Sequence, residues 1–130
     1  MRLRVISSKN DIDALDRNEQ IIHLSFKASN SDIFRLLQNC PKISAIQLPT
    51  SYRKGLSKAG EMFLAMQGIE LIEGDVSCNT KYIHNIDDEV FNRIEQLSTI
   101  GLGPNEIAIT VSRETMLSLG LVEYVIKHSS

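Results

Sequence analysis

The stretch Gln38–Val76, QNCPKISAIQLPTSYRKGLSKAGEMFLAMQGIELIEGDV, decides the fold. Within it a short apolar run, Ala45–Leu48, ends at Pro49, and a second, Ile69–Ile72, follows Gly68 and leads into the turn-forming Glu73, Gly74 and Asp75. Runs this short, rich in Ile and Leu and bounded by Pro and Gly, read as buried strands. Between them Leu56, Ala59, Phe63 and Met66 recur at helical spacing, so a helix separates the two strands. A strand, a helix and a strand in this order imply parallel pairing, because the crossover returns the chain to the same end of the sheet.

The same alternation extends toward the N-terminus. Leu3–Ile6 and Ile21–Phe26 are strand-like, with a short helix from about Asn10 to Leu15 between them. A helix from Ser31 to Asn39 carries Ile33, Leu36, Leu37 and Cys40, and Pro41 stops it. A weak repeat supports the pattern: Ile22 and Leu24 recur as Ile46 and Leu48, and Ile43 and Ile46 recur as Ile69 and Ile72. The expected fold is therefore α/β, a small parallel sheet of about four strands from βαβ units, with a helical C-terminal segment. Both a Rossmann-like sandwich and a leucine-rich-repeat-like winding accommodate this period.

The chain then divides into an α/β part at 1–76, a linker at 77–85 and a helical segment at 86–130. Ile86, Val90, Ile94 and Leu97 form one helical stripe. Pro104 opens a helix bearing Ile107, Ala108 and Val111, and a last one bears Leu121, Val122, Val125 and Ile126, with Ser118 as its cap. Three short helices need a surface to bury against, either the sheet or a second subunit, and this leads to the expectation of a homodimer.

At 130 residues the chain is the size of one domain, and no stretch approaches the roughly 20 apolar residues of a membrane span. The N-terminus has no signal-peptide core, and Cys40 and Cys78 read as free thiols, so the expected location is cytoplasmic. The net charge of -2 conceals an asymmetry: residues 1–68 carry +4 and residues 69–130 carry -6. Any contact with an anion or with nucleic acid therefore belongs to the first half.

In parallel sheets ligands bind where strands end and helices begin. That edge gathers Ser7, Ser8, Lys27, Ser29, Asn30, Thr50, Ser51, Arg53, Lys54 and Asp75. Ser29, Asn30, Thr50, Ser51, Arg53 and Lys54 are the candidate site for a small anionic ligand; helix capping is the simpler role for the hydroxyls and amides. Arg53, Lys54 and Lys58 make a small basic patch that could meet nucleic acid, Lys54 and Lys58 sharing one helix face. The segment GLGPNEIAITVSRETM resembles helix-turn-helix regulators, with a spacing shorter by about two residues than that motif uses and a net negative charge around it.

Catalysis is not indicated. His23 lies in a strand and reads as structural. Cys78 and His84, with Cys40 or Asp75, lack the paired spacing of a zinc site, and no nucleophile elbow is present. No cofactor or metal is called for.

Across Arg2 to Val76, with IQLP and LIEGDV as its specific pieces, the chain resembles a family of short archaeal proteins, mainly from methanogens, described as a domain of unknown function. That pattern places an aromatic and histidine-bearing loop after Gly-Asp-Val, where this chain has Ser77, Cys78 and Asn79. The resemblance implies an archaeal cytoplasm and supplies no activity. The expected function is a non-catalytic binding or interaction module. A DNA-binding regulator and an enzyme or sensor acting on a phosphorylated small molecule are the alternatives.

Overall fold

A computed structural model describes residues 2–74, 83–86, 88–115 and 117–128. Four strands, β1 (Arg2–Ile6), β2 (Ile21–Leu24), β3 (Ala45–Leu48) and β4 (Glu70–Glu73), pair in parallel. A fifth, β5 (Ile83–Asn85), joins β1 antiparallel, giving the order β4-β3-β2-β1-β5. The sheet therefore holds the expected four parallel strands. The segment read as a linker lies mostly outside the described residues, but its last three residues close the β1 edge. Asp75 and Cys78, and the side chain of His84, also lie outside them.

Strand alternation sorts the side chains onto two faces. Ile22 and Ile46 align on one, with Ile6, Leu24 and Leu48 in the next row. Against this face pack Ile12 from the 3-10 turn Lys9–Ala14, Ile33 and Leu36 from α1 (Asn30–Asn39), and Leu64 from α3 (Lys58–Met66). All the connections between parallel strands thus lie on the same side. The short α2 (Thr50–Lys54) precedes α3. This is the single winding of the solenoid alternative; in the double winding of a Rossmann sheet the strand order reverses and crossover helices lie on both faces.

The other face presents Leu3, Ile21, Ala45 and Ile72, and the C-terminal helices α4 (Asp88–Thr99), α5 (Pro104–Thr115) and α6 (Leu119–His128) cover it. Each of their predicted stripes is buried, Ile126 partly. Burial takes place within the subunit, so the argument that these helices need a second copy does not apply. Arg93 on α4 donates to both carboxylate oxygens of Glu114 on α5, at 3.0 and 2.9 Å. The Tyr124 hydroxyl on α6 lies 2.8 Å from the Ser44 hydroxyl. Backbone approach is tightest at Gly120, where a Cβ would stand 2.8 Å from Ile72 Cγ2 and 2.9 Å from the Glu73 carbonyl oxygen.

Local sequence explains the helix starts. The Ser29 hydroxyl accepts from the Asp32 N–H at 3.2 Å while the Asp32 carboxylate accepts from the Ser29 N–H at 3.0 Å, a reciprocal capping box. Ser57 caps α3 by accepting from the Gly60 N–H at 3.0 Å. That cap separates α3 from α2, so Lys54 and Lys58 sit on different helices and not on one shared face. The buried face of α3 is Gly60 and Leu64; of the predicted stripe, Phe63 stacks on Phe34 and Met66 is 80% exposed.

Two outcomes follow from this packing. A chain ending at Asn85 bares Leu3, Ile21, Ala45 and Ile72, and its thermal denaturation by circular dichroism should show no cooperative transition. Gly120→Ala forces α6 away from β4 and should cost about 1–3 kcal/mol, read as a lower denaturant midpoint with an unchanged slope.

Candidate functional site

The candidate strand-end site lies where β1, β2 and β3 run into the helices that follow them. Its residues are placed individually, and most bond to partners outside the candidate set. Ser29 is spent on the α1 cap. Asn30 Oδ1 accepts from the Ser57 hydroxyl at 3.1 Å, tying the first turns of α1 and α3 together. Thr50, preceded by Pro49, caps nothing; its hydroxyl points to Glu73 Oε2 at 3.4 Å. Ser51 and Lys54 are exposed on α2 and Lys58 on α3. Arg53 pairs with Glu61, Nε to Oε1 at 3.5 Å, so a carboxylate already occupies the guanidinium nearest the proposed anion. Ser7 and Ser8 give their N–H groups to Asp11 Oδ2 at 2.9 and 3.2 Å.

Two polar positions are buried that strand periodicity alone does not separate from core. His23 and Gln47 are register partners on β2 and β3, each 1% exposed, on the face that the C-terminal helices cover. The Gln47 amide donates to the Ser118 hydroxyl, which itself accepts from the Leu121 N–H at 3.2 Å and so caps α6. Gly74 completes this knot, since a Cβ there would lie 2.7 Å from Gln47 Nε2. The sheet thus fixes the start of α6 by a hydrogen bond to its cap. Nothing in the sequence around Gln47 announces this, because the partner is 71 residues away.

At the opposite end of the strands Glu19, 1% exposed, is bridged by Arg2, with its second oxygen unpaired among the described residues. Nearby Cys40 is buried and donates to the Asp16 carbonyl at 3.3 Å. Burial, with the charges of Glu19 and Asp16, pushes this thiol up, away from the thiolate that a nucleophile needs. In a Cys78→Ser background, Cys40 should react with iodoacetamide at neutral pH only when the chain is unfolded, as mass spectrometry of the labelled protein will read.

Two accessible concave surfaces lie at the β4 edge. One groove of about 380 Å³ runs between β4 and α6, past Glu70, Glu123, Tyr124 and Lys127, with Lys127 Nζ 2.7 Å from Glu70 Oε1. A second, of about 370 Å³, runs on the other side of the strand past Met62, Ala65 and Ile69, with Arg53 and Glu61 at its rim. Leu71 lines both. Beside the second groove Met62 is 64% exposed, and Phe34 on α1 is 53% exposed.

These features define a small α/β domain of single winding, capped by its own C-terminal helices and open along one strand edge. Residues 2–85 match the N-terminal domain of a family of unknown function, DUF1699, and the chain belongs to that family. The match ends on the last residue of β5, so it takes in the whole sheet and stops before the helical cap. No curated protein and no solved structure matches the chain.

Proposed function

We propose that the chain is a non-catalytic interaction module that meets another protein along the outer edge of β4 and the exposed side of α3. One observation carries this reading: the two grooves meet at Leu71, on the strand that ends the sheet, beside Met62 and Met66, which are 64% and 80% exposed. Exposed apolar side chains beside an unpaired strand edge are the usual mark of an interaction surface. The engagement of Ser29, Asn30, Thr50 and Arg53 with partners inside the chain speaks for this reading over a phosphate site. For nucleic acid, only Lys54 and Lys58 of the basic patch stay uncommitted, on separate helices. α6, which would be the recognition helix of a helix-turn-helix, turns Leu121, Val122 and Val125 into the core. The resemblance read from the sequence supports a methanogen cytoplasm as the setting.

The test is a thermal-shift screen of the full chain against nucleotides and sugar phosphates, alongside a gel-shift with duplex DNA at low salt. Neither should respond. A ligand at about 100 times its Kd stabilises a fold by ~2.7 kcal/mol, so a compound that raises the melting temperature reproducibly would replace this reading with a small-molecule site. A low-salt shift that disappears as salt rises would replace it with DNA binding.

A further inference from the structure

Among the described residues, β4 has a neighbour on one side only. The Glu70 N–H donates to the Ser44 carbonyl and the Gly74 N–H to the Leu48 carbonyl, both at 3.0 Å, so the even-numbered residues turn their backbone groups toward β3. By the alternation of a strand, Leu71 turns its N–H and C=O outward. Two residues further along, Gly120 packs against the Glu73 carbonyl and closes that end of the edge. The open length is therefore short and centred on Leu71, where the two grooves meet.

The grooves differ in chemistry. The one beside α3 is floored by Met62, Ala65 and Ile69, and its two charges, Arg53 and Glu61, neutralise each other. The one beside α6 holds Glu70 and Glu123 against the single ammonium of Lys127, which leaves an excess of negative charge. Resting on the reading of this edge as the interaction surface, we propose that its occupant is an extended segment of a partner protein whose side chains alternate apolar and basic, added as a sixth strand beside β4. Backbone bonds to Leu71 would hold it. Successive side chains of a strand point to opposite faces, so the apolar ones enter the Met62 groove and the basic ones meet Glu70 and Glu123. A second copy of this chain fits poorly. Two-fold pairing of β4 with itself sets the same grooves side by side and brings Glu70 and Glu123 of each copy toward those of the other.

The experiment uses the full chain and two blocked six-residue peptides, one alternating Val and Lys, the other Val and Glu. Amide hydrogen exchange and methyl NMR are recorded during titration. The Val-Lys peptide should slow exchange at the Leu71 N–H by about tenfold or more, shift the Met62 methyl and weaken as salt rises, while the Val-Glu peptide binds at least about tenfold less tightly. Glu123→Lys, on an exposed position, should narrow or reverse that preference. Leu71→Pro removes the outward N–H at a position where an edge strand tolerates proline, and should abolish the shift of the Met62 methyl by the Val-Lys peptide. Equal binding of the two peptides overturns the proposal. If Met62 shifts while Leu71 stays unprotected, strand addition is wrong and only the broader interaction reading stands; if neither responds to either peptide, both fall. Protection of Leu71 without peptide, rising with protein concentration alongside a dimer mass in light scattering, would make a second copy the occupant.

Discussion

A parallel sheet whose crossovers all run along one side has one finished face and one bare face, and the rest of this molecule follows from that. Burying an apolar face is the main favourable term in folding, and a bare face is an aggregation surface. Here Leu3, Ile21, Ala45 and Ile72 form that face, and α4–α6 are the chain's own cover for it. The fit is specific as well as apolar: Gly120 lets α6 approach β4, Gln47 holds the cap of α6, and Tyr124 reaches Ser44. The family match, which stops at β5, therefore marks out a stretch of sequence and not a physically independent body.

The same winding governs the surroundings of the candidate ligand residues at the strand ends. In a doubly wound sheet the helices diverge at the point of reversal and leave a crevice at the strand ends, whereas here neighbouring crossovers lie side by side and their first turns bond to one another. Asn30 on Ser57 is the local expression of this, while Arg53 and Glu61 pair within one crossover. Polar groups that look free in sequence are mutual partners in space. Two concave surfaces lie at the β4 edge, where no further strand is added among the described residues.

Much of the fold was legible in the residues. The four parallel strands show themselves because each is a short Ile- or Leu-rich run closed by a breaker, and the C-terminal helices because their apolar spacing matches what they bury. β5 escaped notice: three residues with one aliphatic side chain form a strand only because β1 offers an edge. The face of α3 was misjudged because Ala59, Phe63 and Met66 have helical spacing, while the actual contact face is set by Gly60 against Asn30 and by Leu64 in the core. Single and double winding share one local pattern, so which faces the helices would cover was not readable.

The hydrogen bond between Ser44 and Tyr124 joins residues 80 positions apart, and Gln47 and Ser118 are 71 apart. The crossovers on the other face close much shorter loops. Loop-closure entropy must be met before distant contacts can stabilise anything, so the order of assembly is built into the topology: sheet and crossover helices gather first, and the cap docks last. Until it does, the nascent chain shows an apolar sheet face to its surroundings, so the interval between synthesis of Asn85 and docking of α6 is when this protein is most exposed to misassociation.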